Sequence, residues 1–242
     1  MGQGTSNYQL HYRTWHDDSD EHFALKAAED RALISGLIRP PAGAALDVGC
    51  GMGFTIGALK SLGLDPVEGI DVDENQIESC RRRGLQAELV PDAAAYMLCR
   101  PERFMLVTML DVLEHVPPQA QLAVLRAAHS SLRPNGILVI RVPNANSVIA
   151  SRLRYLDFTH HSSFTELSLK FAIVAAGFAN PRICEEPSVE QNGARGLKPF
   201  ASQLRRRIVR WCWRQVLASE LSGQTARNIP LSGNLVAVAQ KE

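Results

Sequence analysis

Residues 44–53 read AALDVGCGMG, an apolar run that passes directly into three glycines. A short apolar segment followed at once by Gly49, Gly51 and Gly53 is the pattern of a buried strand turning sharply into a helix. Without Cβ atoms the backbone of such a turn approaches a ligand closely, and the N–H groups heading the next helix favour electron-rich ligand atoms. The same alternation continues along the chain. Strands are expected at 66–72 (PVEGIDV), 86–90, 103–110 (RFMLVTML) and 137–143 (ILVIRVP), with helices at 54–64, 74–84 and 118–136, the last stopped by Pro134, Asn135 and Gly136. A helix over 165–178 has Thr165 as its N-cap, and strands at 180–186 and 234–241 complete the series. Alternation of this kind specifies a mostly parallel sheet with helices on both faces.

The length of 242 residues suits one large α/β domain. With 45% hydrophobic and 21% charged residues and a net charge of +1, the chain has a globular composition and no bulk field for nucleic acid. The five cysteines are scattered without a CxxC pair, which supports neither a disulfide framework nor a thiolate zinc site. Reduced thiols, a polar N-terminus and no apolar run of spanning length give the expectation of a cytoplasmic protein.

What the glycine turn binds is narrowed by Asp71, which ends the second strand twenty-two residues after Gly49. A carboxylate there accepts hydrogen bonds from both hydroxyls of a ribose. The spacing is GxGxG rather than the GxGxxG of dinucleotide binders, and no Lys-Ser/Thr pair marks a phosphate loop.

LDVGCGMG, GIDVD, VPDAAAY (90–96), TMLDVLEHVP (108–117) and LRPNGILVIRVPN (132–144) resemble, in order, the motifs of the class I S-adenosylmethionine-dependent methyltransferases, over roughly residues 44–178. The resemblance implies a Rossmann-like, doubly wound seven-stranded sheet, mostly parallel with an antiparallel last strand, and a helical C-terminal insertion at about 187–230. The methyltransferase domain would be 44–242, behind an N-terminal lid or helical segment, 1–43. It implies S-adenosyl-L-methionine as cofactor, with Asp47, Gly49, Cys50, Gly51 and Gly53 around its methionine part. Asp71 and Val72 would meet the ribose, Asp92 and Ala93 the adenine, and Leu110 and Asp111 the sulfonium side.

The segment DFTHHSSFT (157–165) follows the fifth strand, so it emerges where ligands sit in such folds. An imidazole there suits a general base that takes the proton from an attacking hydroxyl, oriented by a carboxylate. The candidates are His160, His161 and Asp157, with His160 preferred. The segment resembles the D-x-T-H-x-x-x-F-T stretch of methyltransferases from bacterial glycan and polysaccharide biosynthesis, which implies O-methylation of a sugar hydroxyl. Methylation of a small molecule such as a quinone or secondary metabolite, or a non-catalytic cofactor-binding scaffold, are the alternatives.

Tyr12, Trp15, His115 and Asn144 are expected to contribute to the acceptor side. A divalent metal is not expected, because a hard-ion site wants more carboxylates than this loop offers. The stretch 195–218 carries Arg205, Arg206, Arg207, Arg210 and Arg214 with an interleaved apolar side. Such a helix can lie on the inner membrane face, meet a second copy in a homodimer, or hold an acidic glycan.

Overall fold

The computed structural model of the protein describes residues 17–187 and 197–242. Helix α1 (Asp20–Leu37) precedes a chain of alternating elements: β1 (Ala45–Val48), α2 (Phe54–Ser61), β2 (Val67–Asp71), α3 (Glu74–Arg82), β3 (Ala87–Leu89), α4 (Ala93–Leu98) and β4 (Phe104–Leu110). After a 3₁₀ turn, Leu113–His115, come α5 (Pro118–Ser131), β5 (Leu132–Pro143), α6 (Ala150–Leu156), α7 (Glu166–Ala175) and β6 (Ala179–Glu185). The chain closes with α8 (Leu197–Glu220), α9 (Gly223–Asn228) and β7 (Asn234–Gln240).

The seven strands form one sheet in the order β3-β2-β1-β4-β5-β7-β6. Its first five are parallel, and β7 runs antiparallel to both β5 and β6. Strand β1 is buried along its whole length, as a central parallel strand must be. Side chains alternate across the sheet: Leu46, Val48, Val107 and Met109 pack with Met97 of α4, Leu125 of α5 and Leu169 of α7. Ala45, Leu106 and Leu110 face the other way, onto Ile34 of α1, Ile56 of α2 and Ile77 of α3. Both faces are therefore covered, and the strand order reverses between β1 and β4. That reversal opens a crevice at the carboxyl ends of the strands.

Thr165 caps α7 as expected, in a reciprocal capping box with Ser168. The helix expected over 118–136 is shorter: α5 stops at Ser131, and β5 begins at Leu132, which already pairs with Phe104. The proline at 134 disfavours helical geometry at Arg133, so the break falls before the glycine signal rather than at it.

Candidate active site

The strand-to-helix turn after β1 folds back on β2 through Gly49 and Cys50, whose N–H groups both donate to the Ile70 carbonyl. Gly49, Gly51 and Gly53 have φ of 69°, 52° and 88°, the left-handed region that glycine adopts without penalty. At Gly49 a Cβ would also lie 2.6 Å from Val112 Cγ2, so the turn closes tightly on the end of β4. Asp71 lies across from it: one carboxylate oxygen accepts the Gly51 N–H at 2.9 Å and the other the Asp73 N–H at 2.9 Å. Burial raises the Asp71 pKa against the lowering pull of these N–H groups.

Asp47 is 2% exposed, and one oxygen accepts the Thr108 hydroxyl at 2.7 Å while Oδ2 has no hydrogen-bond partner. Burial pushes its pKa up to about 8. The thiol of Cys50 is buried under the turn, in space left by the missing Cβ of Gly69. Cys50 therefore supports the turn from beneath instead of presenting its side chain. Asp92 is an N-cap: Oδ1 accepts the Ala95 N–H at 2.9 Å and so starts α4, with Ala93 as its first residue. Val72 is exposed at the crevice edge and Leu110 is buried.

Asp111 is held by Arg141 of β5, whose Nε lies 3.0 Å from both carboxylate oxygens. The guanidinium also reaches Asp30 at 3.5 Å and Glu186 at 3.4 Å. Burial works to lower the Arg141 pKa, but Asp111 and Asp30 outweigh it and raise the net value. None of Arg141, Asp30 and Glu186 is among the expected site residues. The available signal was an arginine interrupting the apolar run ILVIRVP, since such a group is buried only beside compensating carboxylates.

The histidine loop hangs on the 3₁₀ turn. The Glu114 carbonyl accepts the His161 N–H at 2.7 Å, and Gln121 bridges Leu113 O, Val116 O and Ser162 Oγ. This brings the His160 and His115 rings to 4.6 Å, edge to face. Their tautomers follow from their Nδ1 partners. His160 Nδ1 lies 2.9 Å from the Leu153 carbonyl, which only accepts, so Nδ1 donates and the lone pair sits on Nε2. His115 Nδ1 lies 2.7 Å from Thr159 Oγ1, and that hydroxyl donates to Asp157 Oδ1 at 2.7 Å. Nδ1 of His115 is thus also the donor, and burial pushes this imidazole down to about 4, so it is neutral near pH 7. Glu114, beneath them, is 1% exposed, and its Oε2 has no hydrogen-bond partner. Burial first, then the Asp111 charge, raises its pKa well above the usual carboxylate range.

Three sequence expectations change here. Asp157 Oδ1 accepts the Thr159 N–H and hydroxyl and through Thr159 orients His115, whereas His160 is oriented by the Leu153 carbonyl. His161 holds the loop with its backbone while its ring is exposed. Asn144 is fully buried: Nδ2 donates to Pro230 O and Ser232 O, and Oδ1 accepts the Asn146 N–H, so it ties β5 to the segment before β7 and meets no acceptor. His115 does reach the site. Tyr12 and Trp15 lie outside the described residues.

Helix α8 docks through polar groups. Arg210 pairs with Glu185 at 3.0 Å, Arg214 donates to the carbonyls of Ala226, Arg227 and Ile229, and Trp213 Nε1 donates to Asn146 O. Its apolar side chains Leu204, Ile208, Trp211 and Val216 face outward with Arg205, Arg206 and Arg207. Beyond Asn146, the loop and α6 expose Val148, Ile149 and Tyr155, and Phe158 beside the histidines is 99% exposed. No helix among the described residues is long and apolar enough to cross a membrane.

The sequence profile of the methyltransferase domain matches residues 20–182. Ubiquinone biosynthesis O-methyltransferases are similar: that of Stutzerimonas stutzeri is 35% identical over 106 residues, covering 42% of this chain and 44% of that protein. That of Xanthomonas campestris is 33% identical over 145 residues, covering 53% of this chain and 58% of that protein. The chain thus spans about half the length of the curated relatives it matches. A SAM-dependent methyltransferase from Archaeoglobus fulgidus superposes with a TM-score of 0.65 at 21% identity, over 90% of this chain and 94% of the other. A possible histamine N-methyltransferase from Thermotoga maritima gives 0.62 at 16% identity, over 98% and 97%. With a profile that covers the glycine turn, the acids at the strand ends and the histidine loop, the chain belongs to the methyltransferase domain family and has the fold of S-adenosylmethionine-dependent methyltransferases.

Proposed function

We propose that the protein transfers a methyl group from S-adenosylmethionine to a hydroxyl of an apolar small molecule, a phenol or quinol, rather than to a sugar. The cofactor suits the crevice residues. A buried carboxylate with an orphan oxygen, Asp47, is a partner for the methionine ammonium, and Asp71 beside the Gly51 backbone is a ribose acceptor. Val72, exposed at the crevice edge, and Ala93, behind the capping Asp92, border the side where the adenine would lie, and Leu110 and Asp111 border the sulfonium side. The cofactor supplies an electrophilic methyl carbon.

The chain's own residues supply the rest. His160, donating from Nδ1 to Leu153 O, keeps its basic Nε2 for the acceptor's proton as the oxygen attacks. The Asp157–Thr159–His115 chain fixes the neighbouring ring. Holding the oxygen and the methyl carbon in line provides most of the acceleration.

The observation that carries the acceptor class is the set of exposed apolar side chains flanking this loop: Phe158, Tyr155, Ile149 and Val148. A sugar would call for a polar, hydrogen-bonding rim. These side chains suit an aromatic ring with a lipid tail presented at an anionic membrane surface. The similarity to ubiquinone biosynthesis enzymes points the same way. The test is methyl transfer from labelled S-adenosylmethionine to a panel of tailed phenols and quinols against free and lipid-linked sugars. Turnover on the phenols is expected; turnover confined to the sugars would refute the acceptor class.

A further inference from the structure

The geometry points to a binding site for a first-row divalent transition-metal ion formed by Glu114, His115 and His160. One ligand atom from each of these three residues lies within 4.8 Å of the others. That spacing needs only modest closure to meet one ion at ordinary metal–nitrogen and metal–oxygen bond lengths of about 2.0–2.2 Å.

Two further features single the triad out from a chance cluster. Each imidazole is held at Nδ1 by an acceptor, Leu153 O for His160 and Thr159 Oγ1 for His115, which places both lone pairs on Nε2. An outer hydrogen bond that fixes tautomer and ring orientation is how ligating histidines are held. The second feature is Glu114 Oε2, buried and without a hydrogen-bond partner. A buried carboxylate oxygen left unmatched is costly, and a cation supplies its missing partner. The Glu114 carbonyl accepts the His161 and Ser162 N–H groups, which ties the loop to the 3₁₀ turn and keeps the three groups close.

The donor set also chooses the ion. Too few carboxylates argues against Mg²⁺ or Ca²⁺, but two imidazoles and one carboxylate suit Mn²⁺, Fe²⁺, Co²⁺ or Zn²⁺ with coordination positions left for further ligands. The exposed Phe158, where the acceptor is proposed to bind, lies two residues before His160 on the same loop. A metal ion held there would lower the pKa of an acceptor hydroxyl, whose proton would pass to bulk water. The metal site rests on the methyl-transfer reading: His160 Nε2 would serve as a ligand with the ion bound and as the base without it.

Protein stripped with a chelator is titrated with Co²⁺, following heat and ligand-field absorption, and in parallel with S-adenosylhomocysteine. The exposed thiols of Cys99 and Cys212 are distinguished by the near-ultraviolet thiolate band that nitrogen and oxygen ligands lack. Wild type should take up one equivalent saturably, with no thiolate band. His160→Ala and Glu114→Gln should each weaken uptake by at least about tenfold. His161→Ala, whose ring is exposed, should bind as wild type. His160→Ala changes a half-buried loop residue, so it stays informative if the buried Glu114→Gln variant does not fold. No saturable uptake by wild type, or wild-type uptake in His160→Ala, overturns the site. S-adenosylhomocysteine binding without Co²⁺ binding refutes the metal alone, and Co²⁺ binding without S-adenosylhomocysteine binding refutes the methyltransferase reading alone.

Discussion

Replacing Asp47 by Asn should stabilise the cofactor-free protein at neutral pH, although it removes a charge from the proposed cofactor site. The wild-type carboxyl sits in a dry position, with the Thr108 hydroxyl on one oxygen and nothing on the other. Burial raises its pKa from 3.8 to about 8. The folded value lies above the unfolded one, so the carboxyl's contribution is complete below pH 3.8 and is lost as the pH rises toward 8. Each pH unit in that window is worth about 1.4 kcal/mol, so between about pH 4 and pH 7 the wild type loses up to about 4 kcal/mol from this group. Asparagine has the shape of the protonated acid and does not titrate. The variant should match wild type near pH 4 and exceed it near pH 7, by roughly 10 °C in melting temperature for a domain of this size. Urea and thermal melts of both proteins across this range measure the difference directly. Parallel stability curves would show that Asp47 ionises freely in the folded protein and would refute the argument. Affinity for S-adenosylmethionine should fall in the same variant, opposite in sign to the stability gain.

His160→Ala should lower turnover by about 10²–10⁴ and leave S-adenosylhomocysteine affinity unchanged in calorimetry; a rate within a few-fold of wild type would remove His160 from the chemistry. Asn144→Ala should destabilise by about 2–4 kcal/mol in denaturant melts, because it strands buried carbonyls, while the KM for the acceptor stays at the wild-type value. Ile208→Ser and Trp211→Ser remove side chains that are 53% and 63% exposed. Each should weaken co-sedimentation with phosphatidylglycerol vesicles by at least about tenfold; unchanged binding would leave the outward face of α8 without a role at a membrane.

The parts of this fold that were legible in the sequence are those fixed by local pattern. GxGxG after an apolar run could only be a strand-to-helix turn, and Thr165 before an amphipathic stretch was a cap. The end of α5 lies earlier than expected because Pro134 acts on the residue before it, so the glycine at 136 falls inside β5, where its register with β4 shifts, rather than at the stop. Side-chain roles depended on distant partners that pattern does not carry. Asn144 belongs to the core because the 230–232 carbonyls arrive beside it from far along the chain. Asp157 reaches His115 through Thr159 only because the loop folds onto the 3₁₀ turn. For α8, an apolar stripe would ordinarily mark the docking side, yet Arg210 and Arg214 dock it by finding Glu185 and the carbonyls around α9.

The most direct test of the central claim is calorimetric titration of the protein with S-adenosylmethionine and S-adenosylhomocysteine, beside the Asp71→Ala variant. One saturable site in wild type, lost in an Asp71→Ala variant that is still folded at the assay temperature, is the predicted result. Absence of binding in the folded wild type, or equal affinity in the variant, would contradict the placement of the cofactor at the carboxyl ends of β1 and β2.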